Sequence, residues 1–500
     1  KYEIDMCSGS IMDKLIAFSL PLMLSGILQL MFNAVDIVVV GRFSGSQALA
    51  AVGSTSALIN MFTNLFIGVS LGANVLAARF YASGRSKEMS ETVHTSITFA
   101  LISGIVMVFV GLFFSRFALE LMATPSDVID QAALYMKIYF LGMPFFMLYN
   151  YGAAILRAVG DTKRPLFFLI IAGLINAGLN MVLVIVFHLG VAGVAIATVI
   201  SQLVSCVLVL RCLYQSESSY QLRFSKLTLK KNHLKQIFQV GIPAGIQSTV
   251  INFSNVLLQS SVNSFGSIAM AGYTAANNIF GFLFVAVNSV TQACMSFTSQ
   301  NFGVGKWKRM DKVLVNCIIL SITVAVILGG GAYVFGPELL KIYTKDPQVI
   351  QCGVEILLYT TVTYFLCGLM DLFPGALRGM GHSAVPMFLS VIGTVGTRIL
   401  WIFWIFPQHR SLDWLFISYP ASWIVTIILQ VICFLFVRKS VHRKLGGKKR
   451  WFIQLLLILL WIILFLYRDF RWERLIEPKK NKCFREGKEL MFPQYFKIWG

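Results

Sequence analysis

Lys14-Leu15-Ile16-Ala17-Phe18-Ser19-Leu20-Pro21 opens a run that stays mostly apolar as far as Asp36 and closes on Ile37-Val38-Val39-Val40-Gly41. About 20 such residues suffice to cross a bilayer, and this run is longer. Its polar members, Ser25, Gln29, Asn33 and Asp36, follow one another at steps of four, four and three. That spacing is one face of a helix. A helix greasy on its other sides must turn such a stripe toward a protein interior or a watery cavity. Pro21 has no N–H to give the preceding turn and predicts a bend. Asp36 needs neighbours around it, so the rest of the chain is expected to be further membrane helices.

The bulk composition agrees. Of 500 residues, 57% are hydrophobic and 13% charged, whereas soluble domains are usually about 45–50% apolar. The formal net charge of +20 does not point to nucleic acid, because the basic residues sit in short loops between apolar runs, where they orient helices. The nine cysteines form no C-x-x-C pair and lie mostly within apolar runs, so they read as small buried hydrophobes rather than zinc ligands or disulfides. No cleavable signal peptide is expected, and Lys1 rather than Met stands first, which leaves the natural N-terminus open. No metalloprotease, nucleophile-elbow or phosphate-loop pattern occurs, and Gly160-Asp161-Thr162-Lys163 lacks the Walker spacing. Neither an enzyme nor a cofactor is expected.

Twelve spans are predicted, at about 14–40, 54–78, 93–115, 132–156, 165–188, 191–213, 236–262, 269–298, 313–336, 351–376, 386–407 and 414–437. Loops after even-numbered spans are basic: Arg79/Arg85/Lys87, Arg157/Lys163/Arg164, Arg211 to Lys235, Lys306/Lys308/Arg309/Lys312, Arg378, and Arg438 to Arg450. Those after odd spans hold only Arg42, Arg116, Lys341, Lys345 and Arg410. The positive-inside rule puts the first set, and the N-terminus, in the cytoplasm. The chain also repeats at an offset of about 221 residues: Gly45-Ser46-Gln47-Ala48-Leu49-Ala50 matches Gly266-Ser267-Ile268-Ala269-Met270-Ala271. Gly84 matches Gly305, Leu156-Arg157-Ala158-Val159-Gly160 matches Leu377-Arg378-Gly379-Met380-Gly381, and Pro165 matches Pro386. Six spans per unit is an even number, so both copies share one orientation. The expected organisation is a first lobe over 14–214, a cytoplasmic linker over 215–235, a second lobe over 236–437 and a basic tail over 438–500. The short apolar run 451–467 reads as a hairpin, interfacial helix or tail, since a thirteenth span would carry its basic flank outside.

Ionisable groups inside spans are few, and each is a functional hypothesis by default. Asp36, Asp371 and Arg398 lie deep; Lys137 and Glu355 lie nearer the outer ends. At about 1.5 Å per residue, Asp36, Thr198 and Asn180 fall roughly 8, 10 and 12 Å from the outer ends of their spans. Asn176 is one turn from Asn180 on the same face. One carboxylate with amide and hydroxyl oxygens at its level is equipped to hold a proton or a hard cation such as sodium; bonding between helices is the plainer reading of Asn176, Asn180 and Thr198. The second repeat has the stripe Ser248, Asn252, Asn255 and Gln259 but no acid matching Asp36. Asp371 and Arg398 are expected to pair. Arg157 and Arg378 at helix ends are expected to cap carbonyls or bind headgroups. The 41 Phe and 19 Met are able to line an adaptable cavity, though most must face lipid or neighbouring helices.

Two six-helix repeats, Pro21 and Asp36 in the first helix, Leu-Arg-x-x-Gly closing spans four and ten, and Asn176 followed by Gly193-Val194-Ala195-Ile196-Ala197-Thr198 together resemble the multidrug and toxic compound extrusion (MATE) transporters. The resemblance covers about residues 11 to 445. It implies a V-shaped pair of helical bundles in the cell membrane, working as a monomer among lipids, that expels cationic or amphiphilic small molecules in exchange for protons or sodium. It also implies a cation site at Asp36, Asn176, Asn180 and Thr198, with Gln29 and Asn33 on the same stripe and Pro21 as the bending proline. The chain departs from the family pattern at Asn180, where similar members carry a second aspartate, and Ile251 and its neighbours lack the span-seven glutamate of another branch. Two other readings remain at this point. A lipid or lipid-linked oligosaccharide flippase shares the architecture but usually has a more basic cavity; a non-transporting scaffold would have no use for the buried acid.

Overall fold

In lipid a backbone has no water to bond, so each apolar run must pair its N–H and C=O groups within itself and becomes a helix. The computed structural model describes residues 2–122 and 124–443. The run 451–467 and the tail beyond Arg443 lie outside the described residues. Among those described there are helices and turns but no strand. The first six spans are α1 (Met12–Phe43), α2 (Gly45–Ala82), α3 (Ser86–Leu121), the pair α4 (Ile129–Leu141) and α5 (Met143–Ala158), α6 (Lys163–Asn180) with a π-helical extension Met181–Val186, and α7 (Gly190–Tyr214). After the linker come α8 (Lys231–Asn263), α9 (Ser267–Gly303), α10 (Trp307–Val334) and a short α11 (Gly336–Lys341). The pair α12 (Pro347–Thr361) and α13 (Tyr364–Gly379) follows, then a helix running from α14 (Ala384–Ser390) through α15 (Thr397–Leu400) to Ile405, and last α16 (Leu412–Arg443).

Among the described residues, nine helices alone are long and apolar enough to cross a membrane, and the two pairs bring the number to eleven. The twelfth expected span, α8, has 33 residues and fails on composition, because Gln247, Ser248, Asn252, Ser254, Asn255 and Gln259 thin out its apolar surface. The helices outrun the apolar stretches at both ends, and α8 begins at Lys231, inside the segment expected to be linker. Repetition survives in three dimensions. The α4/α5 bend of 47° at Gly142 and the α12/α13 bend of 43° at Val362-Thr363 fall at matching positions of the two halves. Positive φ recurs in step as well, at Gly45 and Gly266, Gly84 and Gly305, Gly160 and Gly381.

Two cores hold the molecule together. One gathers Met89, Phe140 and Tyr151 from α3 to α5; the other gathers Phe297, Cys317, Phe373 and Phe416 from α9, α10, α13 and α16. Helix α1 belongs to both. Leu15, Phe18 and Leu22 are buried in the second core, where the Phe18 ring meets Phe297 edge-on at 5.6 Å, while Val39 and Val40 are buried in the first. The helix runs unbroken through Pro21, and Ser25 Oγ donates to the Pro21 carbonyl at 2.8 Å.

The halves meet toward the end that carries the basic loops. There α2 crosses α8 with Gly68 and Gly72 against Gly241 and Gly245, four positions where an added Cβ would strike the partner's backbone. Small residues four apart on both helices let the backbones touch. A polar seam continues this contact: Ser296 Oγ donates to Asn74 Oδ1 at 3.0 Å, Ser299 Oγ to Val75 O at 2.6 Å, and Gln300 Nε2 to Ala158 O at 2.7 Å. Arg157 gives its Nε to Ala153 O at 3.1 Å, as a helix-end cap, and reaches across with Nη1 to Gln292 Oε1 at 3.0 Å. Arg378 donates its Nη2 to Gln247 Oε1 of α8 at 2.6 Å, a side-chain partner rather than a backbone carbonyl.

Candidate functional site

Asp36 sits on the polar stripe of α1, two turns from its end, and is nearly buried. The neutral residues expected at its depth surround it. Asn180, at the last turn of α6, donates its Nδ2 to Asp36 Oδ1 and also to Asn176 Oδ1 at 3.1 Å. Thr198, on α7, stands 3.4 Å from Asp36 Oδ2, and Asn176 Nδ2 stands 3.5 Å from the Thr198 hydroxyl. Three helices therefore converge on one carboxylate. The steps of four between Asn176 and Asn180 on α6, and from Val194, whose carbonyl takes the Thr198 hydroxyl at 3.0 Å, to Thr198 on α7 keep these groups on facing sides. Asn180 Oδ1 is buried without a hydrogen-bond partner among the described residues. Turning that amide over would present an oxygen to Asp36 in place of the N–H.

The carboxylate lies on the wall of a cavity of about 480 Å³ whose lining comes wholly from the first half. Gln29 and Asn33 project from the same face of α1 into this space, exposed and without hydrogen-bond partners among the described residues. Opposite them are Asn60 and Asn64 of α2, Tyr135 and Tyr139 of α4, and Gln202 of α7. These five were not singled out by sequence reasoning. Each pair on α2 and α4 is spaced by four, a signal that was present, but nothing in a linear chain says which way a neutral face turns. The wall is thus aromatic and amide-rich with one acid, suited to a flat organic molecule carrying positive charge.

Asp371 and Arg398 do not come together. Arg398, on α15 and 3% exposed, points its Nη1 at Ser254 Oγ (3.0 Å) and Asn255 Oδ1 (2.8 Å) of α8 and its Nε at Ser422 Oγ (3.3 Å) of α16. Its carbon centre stacks over the Tyr419 ring at 4.5 Å. Neutral oxygens and a π-face spread the charge where an acid was expected. Asp371, partly exposed on α13, makes no ion pair among the described residues. Pro21 lies about four turns from Asp36 along α1, in the part of the helix held by the second core. No group of three or more His, Cys, Asp or Glu side chains able to hold a metal occurs among the described residues, so an inorganic cation here would rest on Asp36 and neutral oxygens.

A family model described as MatE matches the chain twice, over residues 21–182 and 243–404. The chain is 29% identical over 434 residues to a probable multidrug resistance protein, YoeA, of Bacillus subtilis, covering 85% of this chain and 93% of that one. It is 25% identical over 404 residues to the multidrug export protein MepA of Staphylococcus haemolyticus, covering 79% and 87%. Among solved structures, one described as the outward-facing conformation of a multidrug resistance MATE family transporter superposes with a TM-score of 0.80 at 18% identity, covering 89% of this chain and 98% of that chain. A MATE structure described as the bent conformation superposes at 0.78 with 19% identity, covering 88% and 97%.

Proposed function

Since the chain belongs to the MATE family of membrane transporters, we propose that it exports cationic, amphiphilic small molecules through the cell membrane in exchange for protons, by alternating access between its two halves. The observation that carries this reading is the lone carboxylate of Asp36, held among neutral groups on the wall of an open aromatic cavity. The same negative charge serves either the organic cation or the coupling ion, so loading one displaces the other. In this reading the basic loops face the cytoplasm, the halves are closed there, and the Asp36 cavity opens to the opposite side.

Geometry favours the proton over sodium. One carboxylate oxygen already has a donor, Asn180 Nδ2, while the single Thr198 hydroxyl hydrogen has the Val194 carbonyl at 3.0 Å as well as the other carboxylate oxygen at 3.4 Å. Sodium would require the Asn180 amide to turn over and present oxygen, whereas a proton on Asp36 Oδ2 can donate to the Thr198 hydroxyl oxygen with the amide left as it stands. With Asn180 in place of a second acid, the site offers sodium one charge rather than two. The first helix, lodged in the second core at one end and carrying Asp36 at the other, is the element through which neutralisation of Asp36 reaches the other half. Exchange of one proton for one singly charged cation moves no net charge, so the pH gradient drives it, each pH unit supporting a roughly tenfold gradient of the exported cation.

Proteoliposomes loaded with a cationic dye test this directly. An imposed pH gradient without sodium is expected to move the dye. Movement with a sodium gradient alone would make Asp36, Asn176, Asn180 and Thr198 a sodium cage, and no movement under either gradient would reject the transport reading.

A further inference from the structure

Residues 2–11, ahead of α1, cross from one half to the other on the face with the basic loops. Toward the second half the segment is bound through four consecutive carbonyls. Met6 O accepts from Asn301 Nδ2 at 3.1 Å and from Arg309 Nε at 3.2 Å, and Cys7 O accepts from Lys306 Nζ at 3.0 Å. Ser8 O and Gly9 O take the two remaining Arg309 nitrogens at 2.5 and 2.9 Å. The Met6 side chain is fully buried in the second core, together with the α1 residues Leu15 and Phe18. Toward the first half the attachment is thinner. Ile4 N donates to Gly160 O at 3.3 Å, and Arg164 stacks over the Tyr2 ring at 5.5 Å. The main link is Glu3, whose two carboxylate oxygens accept from Tyr220 OH at 2.8 Å and Tyr81 OH at 3.0 Å. Tyr81 ends α2, and Tyr220 lies in the linker, which is itself tied to α3 by Arg223 N donating to His94 Nε2 at 3.0 Å.

We infer that residues 2–11 form a latch that closes the basic face, fixed to the second half by the carbonyls of Met6 to Gly9 and released from the first half at Glu3 each time the two halves part there. The asymmetry decides which end lets go. Five side-chain nitrogen contacts and a buried methionine hold one end; two phenol hydrogen bonds to one carboxylate hold most of the other. Hydrogen bonds to a charged acceptor are strong enough to matter and few enough to be undone in a cycle. The latch rests on the alternating-access reading above, but it makes a claim about distances that does not depend on what is carried.

The test uses the full chain in lipid nanodiscs, with native cysteines replaced and spin labels on Lys87→Cys and Lys308→Cys, exposed positions of opposite halves on the basic face. Tyr81→Phe with Tyr220→Phe removes both donors and keeps both rings; Glu3→Ala removes the acceptor. Each is expected to raise the ratio of parted to closed distances about a hundredfold, about tenfold for each of the two hydrogen bonds lost. An unchanged ratio in both variants overturns the latch. A second arm joins Glu3→Cys to Tyr220→Cys with a cleavable thiol reagent. The parted distance is expected to vanish on cross-linking and return on cleavage, and a cross-linked chain that still parts overturns the proposal even if the first variants fold poorly. Latch-dependent distances in a chain that moves no dye would reject the transport reading and leave the latch standing.

Discussion

At the scale of single residues, two of the three deep charges follow opposite logic. Asp36 is held by groups that can donate or, after a rotation, accept, which is what a carboxylate needs if its charge is to change during a cycle. Asp36→Asn keeps the shape and removes that change. It is expected to abolish gradient-driven dye efflux, with normal amounts of protein in the membrane, and full efflux in this variant would remove Asp36 from the mechanism. Arg398 by contrast is a tie. It satisfies Ser254, Asn255 and Ser422 together, so Arg398→Met leaves those buried groups short of donors at about 1–3 kcal/mol each. The expected result is a lower melting temperature in detergent. Because Asp371 does not face Arg398, Asp371→Asn should leave the melting temperature unchanged, and a matching loss in both variants would restore the ion pair.

At the scale of elements, the α2–α8 crossing governs how closely the halves approach. The four glycines Gly68, Gly72, Gly241 and Gly245 admit no side chain without moving backbone. Overpacking of this kind typically costs about 1–3 kcal/mol, and here the cost falls only on the state in which the basic face is shut. Gly241→Leu is therefore expected to shift the population toward a parted basic face with little loss of helix content. Spin-label distances across that face measure it, and a distance distribution like that of the unaltered chain would show the crossing to be passive. Helix α1 has the complementary role. Its early turns are buried in the second core and its late turns in the first, so under the proposed alternating access the segment between Pro21 and Asp36 takes up any change in the angle between the halves.

For the whole molecule, the prediction concerns sidedness. If the basic loops are cytoplasmic, an impermeant maleimide applied to intact cells should label Lys345→Cys and spare Glu217→Cys, both exposed positions at opposite ends of the spans. Labelling of Glu217→Cys alone would invert the molecule in its membrane and, with it, the direction of export. The latch, the glycine crossing and the polar seam all lie on one end, so they act as one closure rather than three. The Asp36 cavity lies beyond them.

Much of this was legible in the chain itself. Apolar length and helical spacing determine the spans, the repeat and the face of Asp36, because lipid forces each backbone to satisfy itself locally and leaves only the side chains to choose a direction. The convergence of Asn176, Asn180 and Thr198 on that acid could be anticipated from depth alone, by counting residues from the outer ends of the spans at about 1.5 Å each. What spacing cannot carry is rotation between helices. The turn of α2 and α4 toward the cavity, the partners that take Arg398 away from Asp371, and the glycines that set the α2–α8 contact all depend on how helices distant in sequence pack. The latch shows the same limit most plainly: Glu3, Tyr81 and Tyr220 are separated by up to 217 positions, and only the folded chain puts two phenols on one carboxylate.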